Sequence, residues 1–333
     1  MREGPSHERP RRDAAFSRRR GVGGAGGRDS AARSRHGRRD DDELEDARDM
    51  SDEAAKVDRL RVATLNVWNK SGPWLDRRTL IREQLEELAP DIVGLQEILE
   101  LRVGDNAMNQ ADELLPEGFH RAYGASHEMS GSWVPEGQHL LFGNALLSRF
   151  PIRAHFVHPL PGEDLSDQKR TLLHAVLETP FGVLDVFVTH LNWKLEEGWI
   201  RERQVKEIAR LIGEKARDDG RYPPLLMGDL NAEPQSDEIR YLGGYTRLGE
   251  ERTVRFTDVW SYGGVGPGHT FDTIRNRFAG QYPEPPRRID YIFVRGPAHD
   301  GRGRPMRPRI WAHRDENEIF PSDHFGVACD FAV

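Results

Sequence analysis

One cysteine, Cys329, occurs in 333 residues. No intramolecular disulfide can form, and no thiolate metal cluster is available. No apolar run approaches the ~20 residues that cross a bilayer as a helix, so integral membrane association is not expected. No Gly-x-Gly-x-x-Gly follows a strand and no Gly-x-x-x-x-Gly-Lys-Ser/Thr occurs, which disfavours dinucleotide and P-loop folds. The run Gly21-Val-Gly-Gly-Ala-Gly-Gly27, behind Arg18-Arg-Arg20, is too short and too weakly apolar for the core of an export signal. A cytoplasmic protein is the expectation. A large excess of positive charge is also missing, since 48 Lys and Arg stand against 55 Asp and Glu.

Residues 1–56 have no sustained apolar pattern. They are crowded with Arg, Gly and Ser and close on the acidic run Asp40-Asp-Asp-Glu-Leu-Glu-Asp46. Such a segment cannot bury enough apolar surface to order itself. The expectation is a disordered tail over 1–56 and one catalytic domain over 57–333, with Met50 as an alternative start. Residues 1–50 hold 13 Arg and 11 Asp or Glu, so the remainder has 35 basic and 44 acidic residues and a net charge of −9. A domain that grips long nucleic acid through its phosphates carries a positive stripe. Here only local groups remain, at Arg275 and Arg277, Arg287 and Arg288, and Arg302 to Arg309, and these are also the composition of a solvated loop surface.

Short β-branched or apolar runs between turn residues predict strands at 60–67, 91–95, 140–148, 153–158, 171–178, 183–189, 224–229, 289–295, 308–313 and 325–332. A helical period predicts helices at 76–88, with Leu80, Leu85 and Leu88 on one face, and at 197–216, with Ile200, Val205, Ile208, Leu211 and Ile212. A shorter helix is expected at 236–242, with Ser236 as its N-cap. Strands outnumber helices without regular alternation, which fits two packed sheets flanked by helices. The stretch 100–138 has no strong strand signal and reads as a long substrate-recognition loop or a surface insertion.

The chemistry is concentrated where apolar runs end. In Leu225-Leu-Met-Gly-Asp-Leu-Asn231, Asp229 and Asn231 share a face of an extended chain. The carboxylate can orient a water or bind a hard cation, and the amide can donate to a charged oxygen. Taken alone, Gly-Asp-x-Asn is equally a strand-ending Asx turn. Similar closures occur at Asn66, at Gln96-Glu97, at Thr189-His190 with Asn192, and at Asp290, while Ser322-Asp323-His324 precedes the last apolar run. Strand ends gather active sites in layered α/β proteins, so one convergent site is expected. Acidic and amide groups without a zinc-type histidine cluster suit magnesium or manganese.

In this order, Asn66, Gln96-Glu97, Thr189-His190, Gly228-Asp229-Leu-Asn231, Arg288-Ile-Asp290-Tyr and Ser322-Asp323-His324 resemble the motif series of the endonuclease/exonuclease/phosphatase superfamily, from about residue 60 to the C-terminus. The resemblance implies a deoxyribonuclease-like, four-layered α/β sandwich of two packed, mainly antiparallel sheets flanked by helices. It implies hydrolysis of a phosphate ester by metal- and Asp-activated water, with Mg2+, or Mn2+, as cofactor. Glu97 would be the metal ligand, with Asn66 and Asp323 as further ligands of the metal or its water. Asp229 would orient or deprotonate the water and Asn231 would hydrogen-bond the phosphoryl oxygen. His324, oriented by Asp290, would contact the phosphate.

Thr189-His190 matches the deoxyribonuclease-like and sphingomyelinase-like members, whose histidine assists the leaving group, rather than the Tyr-x-Pro-Asn of abasic-site endonucleases. Arg170 and Asn192 are expected to contact substrate. Trp133, Trp193 and Trp199 could stack on a base, sugar or lipid head group, or belong to the core. The mechanism is shared across nucleic acids, lipids and sugars, so three readings stand. The first is a phosphodiesterase or phosphatase acting on a small molecule or lipid head group. The second is a DNA or RNA nuclease tethered by the Arg-rich tail, and the third is an inactive binding module.

Overall fold

The apolar run Val62–Leu65 lies within strand β1 (Arg59–Asn66), which pairs in parallel with β2 (Ile92–Val103) through the crossover helix α1 (Trp74–Leu88). The computed structural model describes residues 59–131, 134–162, 169–216, 222–250 and 255–333. The tail expected over 1–56 and the stacking candidate Trp133 lie outside them.

Helix α1 buries Trp74, Arg77, Leu80, Ile81, Gln84, Leu85 and Leu88, the spacing of one helical face. It ends where Ala89 turns left-handed just before Pro90, a residue that cannot continue a helix.

Beside β1 and β2 lie β3 (Asn106–Asn109), β4 (His120–Met129), β5 (Gln138–Ser148), β12 (Pro305–Trp311) and β13 (Gly326–Ala332). The order is β12-β13-β1-β2-β5-β4, with β3 on β2. The second sheet contains β6 (Ile152–Pro159), β7 (Thr171–Thr179), β8 (Gly182–His190), β9 (Leu225–Asp229), β10 (Thr257–Asp258) and β11 (Asp290–Val294), in the order β10-β11-β9-β8-β7-β6. Its parallel pair, β8 and β9, is joined through α2 (Gly198–Lys215). The short helix α3 (Asp237–Leu242) follows β9.

Three apolar layers hold this stack together. Val62, Ile92, Leu173, Val188, Met227, Ile292 and Phe331 fill the space between the sheets. Leu65, Ile81, Leu85 and Val93 join α1 to the first sheet. Phe187, Val205, Ile208, Ile212 and Phe293 join the second sheet to α2. The result is the expected four-layered sandwich, with one parallel pair set into each otherwise antiparallel sheet.

Those parallel pairs place the chemistry. Asn66, at the end of β1, stands beside Gln96 where the pairing of β2 shifts register, and His190 beside Asp229 at the ends of β8 and β9. Strand β11 runs antiparallel to β9 and begins with Asp290 opposite Asp229. Among the described residues, no helix is long and apolar enough to cross a membrane.

The stretch 100–138 departs from expectation. Strand β2 continues to Val103, β3 folds back on it, and β4 covers the sheet edge. An edge strand with one neighbour needs no strong apolar alternation, and Arg121, Tyr123 and Ala125 through Ala122 and Gly124 supply little. Pairing of β2 with β5 resumes at Ile98 after a register shift at Gln96-Glu97.

Candidate active site

That register shift is what aims Glu97. Gln96 is fully buried and donates through Nε2 to Thr64 Oγ1 at 3.1 Å, whereas Glu97, at φ +62°, turns the other way into a cleft. A bulge in this position re-aims a side chain at the cost of a residue held in a sparsely populated backbone region. The carboxylate accepts from Asn66 Nδ2 at 3.1 Å and from Asn69 Nδ2 at 3.0 Å. Asn66 also donates Nδ2 to Asp229 Oδ2 at 3.0 Å, and its Oδ1 accepts the Trp68 N–H at 3.0 Å. The amide of Asn66 therefore bridges two acids that arrive from different sheets.

Asp229 serves two purposes with its two oxygens. Oδ1 accepts the Asn231 N–H at 2.9 Å, closing an Asx turn in which Asn231 takes φ +49°. Oδ1 thus makes the turn expected of Gly-Asp-x-Asn, while Oδ2 stays directed at the cleft. There it faces His190 Nε2 at 3.5 Å and His324 Nε2 at 3.8 Å. Gly228 precedes it at φ +144°, in van der Waals reach of the Thr189 carbonyl on the parallel strand.

The two histidines are in opposite charge states. Burial, and then the positive charges of Arg170 and His324, hold His190 well below the usual imidazole range, so it is neutral. Burial alone would lower His324 too, but Asp290 and Asp229 raise it to about 10, so it is an imidazolium. Its Nδ1 pairs with Asp290 Oδ2 at 2.9 Å, and Thr270 Oγ1 fixes Asp290 by accepting its backbone N–H at 3.1 Å. Burial and the neighbouring Asp290 push Asp229 up to about 7 against the pull of His324. Burial and the neighbouring Glu97 push Asp323 up to about 6, again opposed by His324. These shifts describe the protein without a cation.

A cleft of about 380 Å³ is lined by Glu97, Arg170, His190, Asp229, Asn231, Asp323 and His324 from the expected set. Asn66 and Asp290 stand immediately behind it and hold members of that set in place. Asn192 is not brought to the cleft. Its Nδ2 donates to Glu197 at 2.9 Å and its Oδ1 accepts the Lys194 N–H at 3.0 Å, so the side chain shapes the turn into α2. Trp193 lines the cleft, whereas Trp199 lies on the surface under Arg203. Arg287, one of the basic groups noted in the sequence, lines it too, whereas Trp68, Asn69, Phe142, Phe271, Tyr282, Glu284 and Ile289 were not anticipated. Asn69 had a readable signal, an amide three residues beyond Asn66; the aromatic residues had none.

Two groupings could hold a cation. Asp229, Asp290 and His324 offer ligand atoms within 4.8 Å of one another. That proximity reflects an imidazolium held between two acids, and a cation there would compete with its protons. Glu97 and Asp323 are the better donors. The direct hydrogen-bond donors to Glu97 are the neutral amides of Asn66 and Asn69, and crowding with Glu97 raises Asp323. Hard carboxylate oxygens crowded together, their charge only partly offset by His324 and Arg77, fit a divalent cation of the magnesium type.

The cleft thus gathers Glu97, Asp229, Asp323 and the His324–Asp290 pair on a two-sheet α/β sandwich. Residues 63–324 match the model of the Endonuclease/Exonuclease/phosphatase family, and the chain belongs to that family. An uncharacterized Caenorhabditis elegans protein is 24% identical over 320 residues, which covers 82% of this chain and 91% of that protein. D. rerio TDP2 complexed with single strand DNA product superposes with a TM-score of 0.64 at 20% identity, covering 83% of this chain and 99% of that one. An endonuclease/exonuclease/phosphatase from Beutenbergia cavernae gives 0.60 at 24% identity, over 83% and 72% of the two chains. The human Nocturnin catalytic domain with bound sulfate gives 0.56 at 20%, over 82% and 93%. These structural likenesses establish the shared fold.

Proposed function

We propose that residues 57–333 form a divalent-cation-dependent phosphoesterase that uses Asp229 to activate the attacking water. The observation that carries this reading is the convergence of Glu97, Asp229, Asp323 and the His324–Asp290 pair on one cleft from both sheets. Glu97 and Asp323 would hold the cation, with Asn66 and Asn69 orienting Glu97. When bound, Mg2+ or Mn2+ supplies charge neutralisation for the non-bridging oxygens of the phosphate.

The residues themselves divide the remaining work. Asp229 Oδ2 takes the proton of a water held in the cleft, and its elevated affinity for protons suits a base near neutral pH. The His324 imidazolium and the Asn231 amide donate to the phosphoryl oxygens as charge develops there. Asp290 keeps the His324 ring in register. Neutral His190 gives the leaving oxygen a hydrogen bond and, with Nε2 3.5 Å from Asp229 Oδ2, returns to it the proton that Asp229 took from water, so the alcohol departs neutral.

The substrate reading that fits best is a compact ester, a small molecule or lipid head group. Five of the eight arginines that suggested a basic track are already engaged: Arg277 with Glu318 at 3.4 Å, Arg287 with Glu284, Arg288 with Asp258 at 2.8 Å, Arg302 with Asp300 at 2.7 Å, and Arg309 with Asp330 at 3.3 Å. Arg170 and Arg287 line the cleft. A second reading, the end of a single-stranded nucleic acid, is favoured by Trp193 and Tyr282, whose exposed rings line the cleft and can stack on bases. The likeness to a TDP2 structure holding a single strand DNA product adds to it. The near absence of cysteine supports a cytoplasmic setting.

The test is hydrolysis of bis-nitrophenyl phosphate, sphingomyelin, inositol phosphates, single-stranded DNA and RNA with Mg2+ and with chelator, using wild type beside Glu97→Gln. Cation-dependent turnover lost in the variant supports the reading. Turnover that survives chelation and Glu97→Gln removes the cation site, and fastest cleavage of the oligonucleotides selects the second substrate class.

A further inference from the structure

Helix α1 carries a charge on its buried face. Arg77 is fully inaccessible to solvent, although every other buried position of that face is neutral. Among the described residues its guanidinium has no carboxylate in direct hydrogen-bond contact. Instead, Nε donates to the Pro321 carbonyl at 3.1 Å, Nη1 to the Ser71 carbonyl at 2.6 Å and more distantly to that of Asn69 at 3.5 Å, and Nη2 to the Val67 carbonyl. The rings of Trp68 and Trp74 lie 4.9 and 5.4 Å from the guanidinium carbon.

The carbonyls belong to two loops far apart in sequence. Residues 67–73 carry Asn69, which fixes Glu97, and Pro321 directly precedes Ser322 and Asp323. One planar fork therefore fastens both halves of the candidate cation site to one helix. Burial in so dry a place lowers its proton affinity to about 10, while Asp323 and Glu97, the nearest acids, pull the other way. The local backbone also needs the fastening: Trp68 at φ +55° and Asn69 at φ +39° occupy the left-handed region, which non-glycine residues hold only when the surroundings enforce it.

We propose that Arg77 is the positioning residue of the cation site, holding the 67–73 and 321–323 loops so that Glu97 and Asp323 face one another before the cation arrives. The proposal rests on the cation-dependent reading above. Charge and geometry act in opposite senses here. A cation between Glu97 and Asp323 is repelled by the Arg77 charge but gains from not having to order two loops. Arg77→Lys separates these effects, because it keeps the charge and loses the planar fork that spans the carbonyls.

The experiment is isothermal titration of the full chain with MgCl2 and with MnCl2, alongside thermal melts without cation and turnover at saturating cation. Arg77→Lys is expected to weaken cation binding at least tenfold while turnover at saturation stays within about fivefold of wild type. A lowered melting temperature with cation affinity within twofold of wild type would reduce Arg77 to a structural residue and overturn the proposal. If wild type binds no cation, the reading beneath the proposal fails with it. Should Arg77→Lys not fold, hydrogen exchange of the wild type decides. Shielding of amides 67–73 and 321–324 together on Mn2+ addition supports the proposal, and a response in one segment or neither overturns it.

Discussion

Gly228→Ala is the sharpest test of how the backbone builds this site. Gly228 has φ +144°, and an added Cβ would lie 1.9 Å from the Thr189 carbonyl oxygen and 2.9 Å from its carbon. Ordinary C···O approach is roughly 3.3 Å or more, so strands β8 and β9 must part by over about 1 Å or break their ladder. Thr189 and Gly228 are register partners, and the next pair is His190 and Asp229. The displacement is therefore delivered to the site. An alanine in this essentially Gly-only backbone region costs about 1–3 kcal/mol, and one buried ladder hydrogen bond left unmade about 1–3 kcal/mol, which together give about 2–6 kcal/mol. For a domain of this size that corresponds to a melting temperature lower by about 10 °C. A shift of about 1 Å in Asp229 costs about 100-fold in turnover. Thermal melts and turnover of bis-nitrophenyl phosphate measure both. A melting temperature within 2 °C of wild type, with activity within about threefold, would refute the reasoning.

The other predictions concern side chains. Asp290→Asn is expected to lower kcat by about 10²–10⁴ without unfolding the protein, because His324 loses the partner that orients it; a loss under threefold would contradict that role. In the cation-free protein His324 should stay protonated through neutral pH in an NMR titration. Its folded proton affinity, about 10, exceeds the ordinary 6.5, so the stability it contributes is full below 6.5 and lost as pH rises toward 10. A ring that titrates near 6.5 would show that Asp290 and Asp229 do not hold the charge. Asn192→Ala should leave KM within about twofold, since the amide is occupied by Glu197 and Lys194; a tenfold rise would return Asn192 to the substrate.

The legible parts of this molecule were those in which burial and chemistry alternate within a few residues. The run Leu225–Gly228 had to be a buried strand, so Asp229 had to emerge at its end, and the same logic located Asn66, His190 and Asp290. Strand β4 was not legible because an edge strand is held by backbone pairing and tolerates His120, Arg121 and Glu128 as readily as valine. Adjacent arginines were equally opaque: Arg287 lines the cleft while Arg288 is buried beside Tyr291 and Asp258, a distinction set by which face of the chain meets the core. Asn192 misled for a related reason. Its position after His190 suggested a substrate contact, yet the chain has already turned and the amide caps that turn. Arg77 was hidden because a helical pattern records which positions are buried, not that a buried cation can be satisfied by four carbonyls.

The central claim is that Asp229 activates water for attack on a phosphate ester in a cation-loaded cleft. Single-turnover hydrolysis of bis-nitrophenyl phosphate by wild type and Asp229→Asn, both saturated with Mg2+ and both verified as folded, tests it most directly. The account predicts a rate at least about 100-fold lower in the variant with cation affinity retained. A variant that cleaves within about threefold of wild type would show that the water is activated elsewhere.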